Sequence, residues 1–230
     1  MEAIGDTDML HEVVTAVANL EKSLGEKFIL VGGAALVCQG SQRVTSDVDL
    51  LLPSGSIPRL ALLPQSPEVT HRGGVIYSNT GKYEFPVDIL QHVPGEKTYE
   101  DLEPFTITIS GKVKALDFPI ALGIKIRCWY LRNDETPNGI QKKESDLVDI
   151  DFICRMMEQA GRVVDDVVAK VIPIGCYNMQ LVKDRLEKDG KLARFLSVGG
   201  HKFQVPWEED SEDQREFYLE LIADEGEAGN

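Results

Sequence analysis

The chain of 230 residues lacks any apolar run long enough to span a bilayer; its compact apolar stretches, such as Phe28–Val31, are far too short. Bases are also in short supply, with 24 Lys and Arg against 38 Asp and Glu, for a net charge of −14. So acidic a chain does not neutralise a phosphate backbone, and long nucleic acid is not an expected partner. The deficit is uneven. Ten acids and one base, Arg215, fall in Trp207–Asn230, which leaves −5 on the preceding 206 residues. A local basic site for a phosphorylated ligand therefore stays open in the body. The tail reads as a solvated segment, partly helical over Arg215–Ile222. Cysteines are few and far apart (Cys38, Cys128, Cys154, Cys176), which excludes a zinc knuckle or a redox pair and suits a reducing, cytoplasmic compartment. Met1–Leu10 has acids and no basic run, so it reads as neither a secretory nor a transit peptide. The four histidines do not cluster, and no Ser-His-Asp or Cys-His constellation is legible. His92, four residues beyond Asp88, is at most a rim residue.

What is present is an α+β pattern followed by an all-helical part. Leu10, Val13, Val14, Val17, Leu20 and Leu24 form a helical stripe over Asp8–Leu24, with Asp6 or Thr7 as cap. Phe28–Val31 reads as a buried strand, Ala34–Gln39 as a short helix, and Ser46–Leu52 as a second strand. Pro58–Leu63 allows one or two helical turns. Gly74–Ser78 and Glu84–Gln91 read as a hairpin around Asn79–Lys82, and Phe105–Ile109 alternates like another strand. Further on, helices are expected from Asp117 to about Arg132, from Ser145 or Asp146 to about Gln159, over Val163–Ile172 and over Tyr177–Leu186. Asn133–Gly139 reads as a loop. The domains expected are 1–112, 113–200 and a tail, 201–230.

Chemistry concentrates in three places. Asp47 and Asp49 sit two apart in a strand, so they share a face. Carboxylates held that close repel each other, and a hard divalent cation such as Mg²⁺ removes the repulsion. Taken alone, Asp-x-Asp is more often a solvated strand end. Asp88 lies in the apolar run Phe85–Leu90, where a charge needs a partner. It is either a structural acid or, if its strand neighbours that of Asp47 and Asp49, the third carboxylate of a metal site. Gly32-Gly33 turns a strand straight into a helix, which lets a ligand approach the backbone; a plain tight turn is the equal alternative. The third glycine and the Lys-Ser/Thr of the common phosphate loops are absent.

Taken in order, Val31-Gly-Gly-Ala-Ala-Leu36, Gly40, Arg43-x-Thr45-x-Asp47-x-Asp49-Leu50 and Val87-Asp88-Ile89 resemble the nucleotidyltransferase superfamily related to DNA polymerase beta, and within it the AbiEii-type toxin branch. The resemblance spans about Glu26–Leu90, and loosely Ala115–Arg155. It implies a mixed-sheet domain in which the glycine turn holds the triphosphate of an NTP. Asp47 and Asp49 would bind Mg²⁺ or Mn²⁺, and Asp88 would complete the site and help deprotonate the acceptor. Many members carry Gly-Ser at the turn; Gly33 and Ala34 stand there, leaving backbone N–H groups to the phosphates. The resemblance also implies nucleotide contacts from Lys125, in Ala121–Lys125, and from Lys143, in Lys143–Asp149. Read as residues, Lys125 could equally snorkel to solvent, and Lys142, Lys143, Asp146 and Asp149 could be a solvated helix start. Arg43 reaches a phosphate or pairs with a carboxylate, and Thr45 supports the metal strand.

The expectation is a nucleotidyltransferase-like α+β domain followed by a helical domain closing the cleft. It would transfer a nucleoside monophosphate from an NTP to an acceptor hydroxyl on a small molecule, a protein or a short RNA end. Asp47, Asp49 and Asp88 would be catalytic; Gly32, Gly33, Arg43, Thr45, Lys125 and Lys143 would bind nucleotide. In Lys125 the ammonium would face the Asp47–Asp49 strand and pair with a carboxylate there. Two alternatives use the same fold: a non-catalytic nucleotide-binding or toxin–antitoxin-like module, and a phosphotransferase passing on the γ-phosphate.

Overall fold

The computed structural model describes residues 6–24, 28–56, 66–109 and 113–206. They fall into two compact units, divided between Asp117 and Phe118. The Pro58–Leu63 turn, the acidic tail and its Arg215–Ile222 helix lie outside the described residues.

The first unit is built on a mixed seven-stranded sheet. Its strands are β1 (Ile29–Val31), β2 (Val48–Leu51), β3 (Val69–Arg72), β4 (Val75–Asn79), β5 (Glu84–Leu90), β8 (Thr106–Thr108) and β9 (Lys114–Leu116), in the order β3-β4-β5-β2-β1-β9-β8. β6 (His92–Val93) and β7 (Lys97–Thr98) form a separate ribbon. β2 runs parallel to β5 and antiparallel to β1, while β3, β4 and β5 form an antiparallel meander. The helices α1 (Asp6–Leu24) and α2 (Gly32–Cys38) share one core with the sheet. Val13, Ala16, Val17 and Leu20 of α1 cluster there with Val48, Leu50, Phe85, Val87 and Ala115. The buried Ser78 is satisfied by donating its hydroxyl to the Ala16 carbonyl, 2.9 Å away. Alternation along the strands fixes the rest: if Val48, Leu50, Phe85 and Val87 face this core, then Asp49, Pro86 and Asp88 stand on the opposite face.

The expected strands and helices of this unit are present within a residue or two at each described end. β3, β9, the β6–β7 ribbon and the one-turn helix α3 (Tyr99–Leu102) were not expected. α3 is closed by a capping box between Thr98 and Asp101. β9 also corrects the domain boundary from 112/113 to Asp117/Phe118, because Lys114–Leu116 pairs with both β1 and β8.

The second unit contains five α-helices among its described residues: α4 (Phe118–Leu131), α5 (Pro137–Gln159), α6 (Asp166–Val171), α7 (Cys176–Lys188) and α8 (Leu192–Ser197). Residues 119–126 of α4 are buried without a break, so α4 is the unit's central helix. Gly123 permits this packing: a Cβ there would meet the Phe203 ring at 2.8 Å and Ile172 at 3.1 Å. α5 begins well before the expected Ser145 or Asp146. Thr136 caps it, accepting from Gly139 N at 3.0 Å, and Pro137 occupies the first turn. Thus 137–139 are helix rather than loop, and Asp146 and Asp149 lie mid-helix and buried rather than at a solvated start. α8 was not expected. The expected tail boundary at 201 also moves. Phe203 is buried, and the Ile174 carbonyl and N–H bond to Val205 N and Phe203 O, so these residues belong to the folded unit.

Candidate metal and nucleotide site

The first unit gathers its acids by register. Asp49 and Asp88 are directly opposed partners on the parallel pair β2 and β5, and Asp47 immediately precedes β2. One carboxylate oxygen from each of the three lies within 4.8 Å of the others. Asp47 and Asp49 are half-buried and Asp88 is exposed.

Neighbouring groups shape this cluster. Thr45 is buried, and its hydroxyl lies 3.2 Å from both the carbonyl and Oδ1 of Asp47, so it holds that carboxylate in place. Gly32 follows β1 in the left-handed conformation, with φ of 67°. A Cβ on it would overlap Asp49 Oδ2 and sit 2.8 Å from the carboxyl carbon. So the glycine is required twice, by its backbone and by the close approach of Asp49. Gly33 has no such backbone demand. A Cβ there would stand 2.8 Å from Arg43 Nη2 and from Thr45 Oγ1, which brings a guanidinium and a hydroxyl against the turn. Arg43 Nε also donates to the Val44 carbonyl at 3.3 Å.

Seven of the nine expected site residues therefore lie together in one unit: Gly32, Gly33, Arg43, Thr45, Asp47, Asp49 and Asp88. An all-oxygen set of three carboxylates, open to solvent at Asp88, fits a hard divalent cation such as Mg²⁺ or Mn²⁺. A lone acidic cluster is a common surface feature. This one is backed by a glycine whose missing side chain makes room for one carboxylate, and by a hydroxyl aimed at another.

The other two belong to the second unit and are engaged within it. Lys125 is buried, and its ammonium lies 2.7 Å from Asp149 Oδ2 and 3.1 Å from Asp146 Oδ1. Asp146 also accepts from Arg132 Nε at 2.9 Å. Burial works against the ammonium's charge, and the carboxylates of Asp149 and Asp146 outweigh it, so its pKa rises above the usual lysine value. The expected pairing with the Asp47–Asp49 strand is replaced by this internal one. Lys143 lies 2.6 Å from Asp134, over the Trp129 ring at 4.6 Å. His92 stands on β6, exposed, 3.6 Å from Glu96.

Sequence reasoning did not single out Tyr77 or Arg72. Tyr77 is the register partner of Pro86, two residues before Asp88, so it stands on the sheet face that carries the acids. Arg72 on β3 lies over its ring, 4.4 Å from the centroid, and is ion-paired with Glu84. Only the register of β3 and β4 reveals this, and β3 carries too little apolar alternation to be read as a strand.

Among the described residues, no helix is long and apolar enough to cross a membrane. No family model matches the chain, and no curated protein matches it.

Proposed function

We propose that the first unit is a metal-dependent nucleotidyltransferase of the DNA polymerase beta-related fold, transferring a nucleoside monophosphate from an NTP to an acceptor hydroxyl. The observation that carries the reading is the convergence of Asp47, Asp49 and Asp88 on adjacent parallel strands beside the Gly32-Gly33 turn. The carboxylates of Asp47 and Asp49 would hold divalent cations, which supply charge neutralisation at the triphosphate and polarise the transferred phosphoryl group.

The remaining work falls to the chain itself. Thr45 fixes the rotamer of Asp47 through its 3.2 Å contact. Gly32 leaves the space that Asp49 occupies. The Arg43 guanidinium, which lies beside Gly33, would present its planar fork of donors to the phosphate oxygens. Asp88, the exposed acid, accepts the proton of the acceptor hydroxyl as its oxygen attacks the α-phosphorus. The bond to the bridging oxygen breaks, and pyrophosphate leaves.

The test is incubation with each of the four NTPs, Mg²⁺ or Mn²⁺, and candidate acceptors, followed by product analysis. Pyrophosphate and a nucleotide-bearing acceptor support the reading. ADP from ATP identifies a phosphotransferase instead. Metal-dependent NTP binding without turnover identifies a binding module.

A further inference from the structure

The segment that brings Arg43 to the glycine turn is built in steps. α2 ends at Gln39, where Gly40 N donates to Val37 O at 3.0 Å and Ser41 N to Leu36 O at 2.9 Å, with Gly40 at φ 98°. These paired bonds close the helix end and turn the chain back through a left-handed residue. A Cβ at Gly40 would meet nothing within 4 Å, so this glycine serves the backbone alone. Beyond it, Ser41 and Thr45 are buried, Arg43 and Asp47 half-buried, and Gln42, Val44 and Ser46 exposed. Alternate residues thus lie on the inner side, in the order hydroxyl, guanidinium, hydroxyl, carboxylate. Each hydroxyl meets the charged residue two places on. Thr45 Oγ1 lies 3.2 Å from Asp47 Oδ1, and Ser41 Oγ accepts from Arg43 N at 3.4 Å. From Gly33 to Gln39 the helix runs about 9 Å. The returning chain and the Arg43 side chain together cover that length, because a Cβ on Gly33 would stand 2.8 Å from Nη2 and 2.9 Å from Cζ.

We propose that Ser41 is a positioning residue for the nucleotide: its hydroxyl fixes the backbone of Arg43 and so holds the guanidinium beside Gly33 for the phosphates. This rests on the nucleotidyltransferase reading above. The helix end does not need the hydroxyl. Its bonds use the backbone N–H groups of Gly40 and Ser41, which any residue but proline supplies at position 41. A buried hydroxyl is costly unless it is bonded, and the group that meets this one is the Arg43 N–H. The other end of Arg43 is tied as well, through Nε to the Val44 carbonyl at 3.3 Å. A guanidinium matches phosphate oxygens through a planar fork, so its orientation decides its use. Tying the residue at both ends before the ligand arrives reduces the ordering that binding must impose. Ser41 thus does for Arg43 what Thr45 does for Asp47.

The experiment uses the full chain. Binding of Mg²⁺ with α,β-methylene-ATP, which cannot transfer its nucleoside monophosphate, is measured first on the wild type and on Arg43→Gln. No metal-dependent binding by the wild type overturns the nucleotidyltransferase reading, and the Ser41 proposal with it. Wild-type affinity in Arg43→Gln takes Arg43 off the phosphates and overturns the Ser41 proposal alone. Ser41→Ala is then compared, since it removes the hydroxyl and keeps the backbone bonds of the helix end. It should weaken the ATP analogue about fivefold, the worth of one neutral hydrogen bond, weaken ADP less, and leave AMP unchanged. Mn²⁺ affinity should stay within about twofold of the wild type, because Thr45 and Asp47 keep their contact. In the Arg43→Gln background, Ser41→Ala should cause no further loss, because the hydroxyl acts through that side chain. Ser41→Thr restores the hydroxyl and should bind the analogue as the wild type does. Full affinity in Ser41→Ala, equal losses for all three nucleotides, a loss that adds to that of Arg43→Gln, or a Ser41→Thr as weak as Ser41→Ala each overturns the proposal and leaves the parent reading standing.

Discussion

The Cα of Gly32 lies against the carboxylate of Asp49, so close that a Cβ would overlap Oδ2. The glycine turn and the acidic strand are thus one object. Val31, the residue before the turn, is the register partner of Asp49 across β1 and β2, which is why the turn opens beside this acid. In sequence the two motifs look independent, and each has a commonplace explanation. In space each accounts for the other.

A first prediction separates the two glycines. Gly32→Ala combines a backbone conformation that costs an L-residue about 1–2 kcal/mol with displacement of Asp49. It should lower stability and also abolish Mn²⁺ binding, read by thermal unfolding and by electron paramagnetic resonance. Gly33→Ala meets the end of a flexible Arg43 side chain and, at 2.8 Å, the hydroxyl of the buried Thr45. With no positive φ and no carboxylate in its way, it should cost less stability than Gly32→Ala and weaken Mn²⁺ binding only as far as Thr45 shifts from Asp47, while Gly33→Val loses more than about tenfold in NTP affinity. Equal damage to metal binding from both alanine variants would disprove the distinction.

The acids give a second. Three like charges within 4.8 Å repel in the metal-free protein. Asp47→Asn and Asp88→Asn remove one charge without opening a cavity. Each should leave the metal-free melting temperature unchanged or raised, and each should lose the stabilisation that Mg²⁺ confers on the wild type. Wild-type melting insensitive to millimolar Mg²⁺ and Mn²⁺ would remove the metal from the site.

The first unit was the more legible half of the chain, for a physical reason. Its strands alternate, and Asp47, Asp49 and Asp88 break apolar runs where a charge needs explaining. The pairing of β2 with β5 was not legible, because parallel register is decided by contacts far apart in sequence. β3 and β9 escaped because short strands carry little periodicity. In the second unit the start of α5 was misread. Asn133–Gly139 contains the turn-forming residues of a loop, yet Thr136 and Pro137 in that order are a helix start. Once α5 begins there, Asp146 and Asp149 fall on an interior face rather than a charged end. The role of Lys125 changes with them.

A third prediction concerns thiols. Burial pushes the Cys38 thiol up to about 11. Burial, with the Asp151 carboxylate nearby, pushes that of Cys154 up to about 12. At pH 8 a thiol of pKa about 11 is roughly one part in a thousand thiolate, and the thiolate is the nucleophile. Both cysteines should react with an aromatic disulfide reagent far more slowly in the native protein than after unfolding in urea. Mass mapping of labelled Cys38 and Cys154 checks this; native labelling of either at the unfolded rate would contradict it.

The last prediction follows from the charge buried between α4 and α5. Lys125 lies 2.7 Å from Asp149 and 3.1 Å from Asp146, and Arg132 holds the other oxygen of Asp146. Breaking such a group from one side leaves buried carboxylate without its compensating cation, so Lys125→Met should cost about 3–5 kcal/mol. Adding Asp149→Asn removes the excess charge and should restore part of the loss. The pH dependence has a definite sign. The folded pKa of Lys125 is raised above the usual lysine value, so its stabilisation is fully present below that usual value and fades only as pH climbs through the folded one. Urea unfolding should therefore show the same gap between wild type and Lys125→Met at pH 6 and at pH 9. A gap that closes between those two values would mean that the ammonium titrates in that range and is not held by the pair. A nucleotide contact makes a different demand. If Lys125 touched phosphate, its removal would weaken ATP more than ADP, and ADP more than AMP. As an internal partner of Asp146 and Asp149, it should shift all three by the same small factor, and a loss graded by phosphate number would return Lys125 to the nucleotide.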